Sequence, residues 1–156
     1  KPKQSKLMNT KIKVVELENA LNEEYNVLRS WVTPSLLEVL KNNRQHEYPQ
    51  KIFEIGDVFT PKEKSRLAVA LAHKTANYTE VKQVLDYILT ALRLEYTIEE
   101  IVHDSYIPGR IGRVLVKGKP VAYIGEIAPE VLSNFALEVP VSTFELNLTD
   151  LFEVMK

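Results

Sequence analysis

Residues 51–60 read KIFEIGDVFT, and residues 66–72 read RLAVALA. The first stretch carries Ile52, Phe53, Ile55, Val58 and Phe59 and predicts a strand. Gly56 inside it marks a bulge or a close backbone approach. Pro61-Lys62-Glu63-Lys64 is a turn. The second stretch is short and almost wholly apolar, which favours a buried central strand over a helix. Together they predict an antiparallel hairpin, and the rest of the chain is read outward from it.

Upstream, Thr33-Pro34-Ser35 predicts a helix start, with Thr33 capping free amides and Pro34 at the first helical position. Leu36, Leu37 and Leu40 then share a core-directed face, and Pro49 bars continuation. Residues 11–17 alternate at first and predict a strand, followed by a polar loop over 18–24. Downstream, residues 79–94 predict a helix capped by Thr79, with Val81, Val84, Leu85, Ile88 and Leu92 at helical spacing. A strand is expected over 96–102. Residues 110–117 and 120–127 flank Gly118-Lys119 and predict a second hairpin. A short helix opening at Pro129 and running through Phe135, a strand over 139–148 and a helix from Thr149 complete the chain. The sum is an α+β fold, a mostly antiparallel sheet flanked by helices.

A length of 156 residues favours one domain spanning 1–156. Twenty basic and 21 acidic residues leave a net charge of −1, without the basic excess of a dedicated nucleic-acid binder. The absence of cysteine excludes disulfides, a thiolate nucleophile and cysteine zinc sites, and fits a cytoplasmic location. No apolar run approaches the roughly 20 residues needed to span a bilayer, so no membrane association is expected. The chain opens KPKQSKLMNT, and residues 1–10 read as a flexible arm or an excision point, with Lys1, Lys3 and Lys6 solvated.

No chemistry-bearing motif emerges. His46, His73 and His103 lack metal-ligand spacing, and GxGxxG, GxxxxGK[ST] and GxSxG are all missing. Glu54, Asp57, Glu126, Glu130 and Glu145 stand in apolar contexts, and period-two alternation favours a solvent-facing reading over paired acid–base work. No catalytic, cofactor-binding or metal residue is assigned. Arg110, Arg113, Lys117 and Lys119 form the densest basic stretch; a phosphate contact, an ion-pair surface toward another subunit and a plain solvated face all fit it. On a continuous strand Arg113 and Lys117 point the same way.

Three stretches carry a resemblance. They are Asn22-Glu23-Glu24-Tyr25-Asn26-Val27-Leu28-Arg29-Ser30 with the following Thr33–Leu40 segment; Glu47-Tyr48-Pro49-Gln50 leading into Lys51-Ile52-Phe53-Glu54-Ile55-Gly56-Asp57-Val58-Phe59; and Tyr106-Ile107-Pro108-Gly109-Arg110 with Ile124-Gly125-Glu126-Ile127-Ala128-Pro129-Glu130-Val131-Leu132. In order and spacing they resemble the β subunit of archaeal and eukaryotic-type phenylalanyl-tRNA synthetases, in particular its catalytic-like module.

The resemblance implies a sheet like the class II aminoacyl-tRNA synthetase core, and a non-catalytic assembly role beside an α subunit that attaches phenylalanine to its tRNA. It further implies an (αβ)2 assembly with a second β subunit, ATP and magnesium used by the complex rather than by this domain, and tRNA bound through the complex. A working core of that class needs an arginine beside its first motif 2 strand, where this chain has Thr60, and a glycine- and arginine-bearing motif 3, where residues 144–152 have neither. Candidate interface residues are Leu36, Leu37, Leu40, Phe53, Ile55, Phe59, Leu132 and Phe135. Candidate tRNA contacts are Arg110, Arg113 and Lys117. A tRNA-contact module and an autonomous synthetase-like ligase are the alternative readings.

Overall fold

Strands must pair laterally before either of their faces can be buried, and six strands of this chain do so in one sheet. The computed structural model describes residues 2–11, 15–16 and 27–156. The elements in order are α1 (Pro2–Leu7), β1 (Val15–Glu16), β2 (Val27–Leu28), α2 (Thr33–Asn42), β3 (Gln50–Phe59), β4 (Glu63–Ala72), α3 (Tyr78–Ala91), β5 (Thr97–Glu100), β6 (Tyr106–Val116), β7 (Lys119–Ile127), α4 (Pro129–Asn134), β8 (Val141–Asn147) and α5 (Leu148–Met155).

The decisive hairpin forms as its sequence predicts. β3 pairs antiparallel with β4 without interruption from Gln50↔Ala72 to Phe59↔Glu63. The six-stranded sheet runs β3-β4-β8-β7-β6-β5 and every pairing in it is antiparallel. β8, the last strand in sequence, therefore lies inside the sheet, and six of its seven residues are buried. β1 and β2 make a separate two-stranded pair.

Helices cover both faces. Ala68, Ala70 and Ala72 of β4 face one side with Val58, Ile111, Ile127 and Val141, and the leucines of α2 and Val131 of α4 pack there. Val69 and Leu71 face the other side with Val114, Ile124, Phe144 and Leu146, under Val81, Leu85 and Leu89 of α3 and Leu151 of α5. No helix among the described residues is long and apolar enough to cross a membrane.

Several local expectations are corrected. Gly56 is no bulge, since the register runs straight through Gly56↔Arg66. It is a close approach: a Cβ there would meet the Arg29 guanidinium at 2.0 Å. The bulges lie between Tyr106/Ile111 and Val114/Leu115 in the β6–β7 pair instead. α3 is capped by Asn77, whose side chain accepts from Glu80 N, rather than by Thr79. Pro2–Leu7 is a helix with Lys6 exposed, and the residue that follows it, Met8, is fully buried. Asn134 holds the Leu7 carbonyl at 2.9 Å, and the Ser105 hydroxyl donates to the Met8 carbonyl. The strand expected over 11–17 is described only at Val15–Glu16, and the 18–24 loop and Asn22–Asn26 of the first motif lie outside the described residues.

Candidate assembly surface and the acid-held helices

The N-terminus of α2 has no cap of its own. Val32 precedes it with φ −94° and ψ −32°, and no nearby side chain accepts from its amides. The cap comes from β8. Glu145, 4% exposed, accepts from Val32 N at 2.9 Å, Thr33 N at 2.8 Å and Thr33 Oγ1 at 2.6 Å. Its Oε1 also takes Arg66 Nη1 at 3.0 Å. Thr33 thus donates to the cap rather than providing it. A carboxylate here answers the unpaired amides, the positive end of the helix dipole and a guanidinium at once. The adjacent Tyr106 hydroxyl bonds Thr143 Oγ1, and burial pushes its pKa well above the usual phenol value.

The same device recurs on the opposite face. Glu126 of β7 accepts from Tyr78 N, at the start of α3, at 2.8 Å through Oε1. Its Oε2 accepts from Arg110 Nη1 at 2.7 Å. Glu54 binds Arg29 Nη1 at 2.6 Å, Asp57 accepts from Ser65 Oγ at 2.6 Å, and Asp150 binds Lys64 Nζ at 2.9 Å. The carboxylates that the sequence sets in apolar contexts therefore mostly hold helices and strands together. His73 Nε2 lies 2.6 Å from Glu80, and His103 packs among Trp31, Tyr106 and Tyr123. Among the described residues no group of three or more His, Cys, Asp or Glu is placed to hold a metal ion.

The candidate interface residues separate into two sets. Leu36, Leu37, Leu40 and Phe135 are 0–3% exposed and belong to this domain's own core, so they present nothing to a partner. Helical spacing identified their apolar face correctly, but the sheet beneath them already covers it. Leu132 and Phe59 are half-buried. Phe53 and Ile55, by contrast, are 70% and 61% exposed. They stand opposite Val69 and Leu67 on the face that α3 and α5 cover, but on the outermost strand, which α3 touches through the Lys51–Glu80 pair at 3.3 Å. Phe152 and Met155 of α5 are further exposed apolar residues that sequence reading did not single out.

The basic stretch does not form a patch. Arg110 is engaged by Glu126, and the Arg113 guanidinium sits 4.0 Å from the centroid of the Tyr123 ring. Lys117 lies beyond the end of β6, in a turn with φ +51°, and its Nζ donates to Val154 O of α5 at 2.7 Å. Strand parity cannot align it with Arg113, because the strand ends at Val116.

Residues 1–148 match the family model described as phenylalanyl tRNA synthetase beta chain CLM domain. The chain is 45% identical over 148 residues to the phenylalanine–tRNA ligase beta subunit of Thermococcus onnurineus, covering 90% of this chain and 26% of that protein. It is 45% identical over 148 residues to the same subunit of Pyrococcus furiosus (89% and 26% covered), and 37% over 140 residues to that of Archaeoglobus fulgidus (89% and 26%). It spans about a quarter of the length of these curated relatives.

Proposed function

Because the chain belongs to the phenylalanyl tRNA synthetase beta chain CLM domain family, we propose that it is a non-catalytic assembly module of a cytoplasmic phenylalanine–tRNA ligase. In this reading it has the class II core architecture without its chemistry. A separate α subunit attaches phenylalanine to tRNA with ATP and magnesium, and the whole is an (αβ)2 assembly. One observation carries the non-catalytic reading. A buried helix N-terminus beside an arginine is a natural seat for phosphate oxygens, and here Glu145 fills it, bonding Val32 N, Thr33 and Arg66. The position beside the β3 strand that would need a phosphate-clamping arginine is Thr60, held in the hairpin turn by its bond to Lys62 O at 3.0 Å.

With the α2 N-terminus capped by Glu145, the module has its exposed apolar surface left to offer, and a partner is what such a surface fits. Arg110, Arg113 and Lys117 are engaged within the domain, so tRNA is expected to meet the complex through other parts. The test is light scattering coupled to size exclusion on this chain mixed with a separately purified catalytic α subunit. A mixed complex is expected, together with no amino-acid-dependent ATP–pyrophosphate exchange by the chain alone. Two separate peaks would overturn the assembly role, and exchange activity would overturn the non-catalytic one.

A further inference from the structure

Ser105 is fully buried and ties together three parts of the domain. Its hydroxyl donates to the Met8 carbonyl, its carbonyl accepts from Ala128 N at 2.9 Å just ahead of α4, and its N–H donates to His103 Nδ1 at 3.2 Å. A backbone N–H only donates, so His103 Nδ1 is the acceptor and the ring proton sits on Nε2. This arrangement therefore requires a neutral imidazole. The segment that Ser105 holds is residues 2–9. α1 has six residues, well short of the about 12–15 that make even a strongly helix-forming peptide marginal in water, so its order comes from what it touches. Met8 is its plug, fully buried in the cluster that includes Trp31, Leu37 and Phe135, with Leu7 partly buried against the same cluster. Asn134 Nδ2 donates to Leu7 O at 2.9 Å, and Gln4 Nε2 donates to Glu38 Oε2 at 2.6 Å. Of the residues outside the segment that make these ties, Ser105 is the buried one.

We propose that residues 2–9 are a strap closed by a pH-sensitive latch, in which protonation of His103 releases Ser105 and lets Met8 leave its socket. An imidazolium carries a proton on both nitrogens, so the new Nδ1–H meets the Ser105 N–H head on. Two donors without an acceptor are costly in a buried turn. Turning the 103–105 segment outward relieves the conflict and takes the Ser105 hydroxyl off the Met8 carbonyl. The surroundings set the direction of the pH response. The ring packs against Trp31, the Tyr106 phenol of β6 and the Tyr123 phenol of β7, with centroids 5.2–5.8 Å away. The Arg113 guanidinium lies over the Tyr123 ring at 4.0 Å, and Glu145, in register with Tyr123, is taken by Thr33 and Arg66. On the strap, Lys6 is exposed. Burial lowers the His103 pKa, and Asp104 opposes it. The open form, with the ring in water, therefore binds the proton more tightly than the closed one. Opening is then favoured as pH falls from about 6.5 towards the closed-state value.

The two methionines of these 156 residues, Met8 and Met155, give the test its own reference. Hydrogen peroxide passes one oxygen to a thioether sulfur, forming the sulfoxide and water. Met155 is 40% exposed and reports the bare reaction, whereas buried Met8 reports opening. Peptide mass spectrometry of the full-length chain that carries these residues follows both. The ratio of Met8 to Met155 oxidation is expected to rise by up to about tenfold between about pH 7.5 and about pH 5.5, the limit set by a histidine titrating near 6.5 only in the open form. His103→Gln should make the ratio independent of pH, and Ser105→Ala should raise it already at the upper pH. Amide exchange in β8 of the same samples separates strap opening from global unfolding. A wild-type ratio that stays flat, a pH response that survives H103Q, an S105A ratio equal to wild type, or Met8 oxidation that only tracks β8 exchange would each overturn the latch.

Discussion

Glu145→Gln removes one charge from the centre of the molecule and changes little else in shape. The wild-type carboxylate takes three hydrogen bonds from Val32 and Thr33 and pairs with Arg66, whose side chain is 18% exposed. Glutamine keeps one acceptor oxygen and turns an NH2 group toward donors. It leaves the Arg66 charge unpaired, and Arg66 Nε already lacks a partner among the described residues. Breaking one side of a buried pair costs about 3–5 kcal/mol, and loss of an N-cap contributes on the order of 1 kcal/mol. The isosteric change belongs near the lower end, about 3 kcal/mol, because the site remains filled. For a domain of this size that lowers the melting temperature by about 6–12 °C. Urea and thermal denaturation followed by circular dichroism measure it. Arg66→Met alone leaves Glu145 its three helix donors and should cost only about 1–2 kcal/mol. The double variant should then be more stable than the summed single losses predict, by about 1 kcal/mol or more. An E145Q protein within about 0.5 kcal/mol of wild type, the range of an ordinary surface change, would refute the claim that this carboxylate anchors α2.

Glu126→Gln should likewise destabilise the start of α3, by about 1–3 kcal/mol, and amide exchange at Tyr78 measured by NMR should rise with it. Gly56→Ala drives a Cβ into Arg29, displacing it from Glu54 and Asp57 O; the loss should be about 1–2 kcal/mol in wild type and much smaller on an Arg29→Ala background, and equal losses in both would disprove the contact. His103 is held neutral by burial, opposed by Asp104, and its Nδ1 accepts from Ser105 N at 3.2 Å. Its folded pKa lies below the unfolded value of about 6.5, so the unfolded chain binds more protons and stability falls as pH drops from about 6.5 towards that folded pKa. His103→Gln should flatten that part of a urea-midpoint profile, and an unchanged slope would exclude His103 as its source.

Local pattern carried much of the fold into view. Period-two alternation and the short apolar run identified β3 and β4, and turn chemistry identified the β6–β7 hairpin, because those signals sit within a few residues of what they determine. Signals that span the chain were hidden. Nothing near Thr33 indicates that its cap arrives from Glu145, 112 residues away, and Asn77 outcompeted Thr79 through its geometry one position before the helix. Leu36, Leu37 and Leu40 show an apolar face, but sequence does not say whether sheet or partner covers it. Phe53 and Ile55 alternate like any half-buried pair; their exposure comes from the strand order, which puts β3 outermost. The Arg29–Gly56 contact joins two of the motifs that carry the family resemblance, yet neither motif alone signals it.

The two acid-held helices share a physical logic. β7 and β8 are neighbours inside the sheet, with Glu126 in register with Ser142, and each sends one carboxylate to a helix start on a different face. The α2 start, desolvated beside Arg66, requires an anion from somewhere, because unpaired amides and an unpaired guanidinium are costly in a low-dielectric interior. A phosphate ligand can provide it, in which case stability and affinity become linked. Here the chain provides it, which makes the helix positions independent of any ligand. A domain wired this way is expected to keep its helix positions in the absence of nucleotide, which suits the assembly role proposed above.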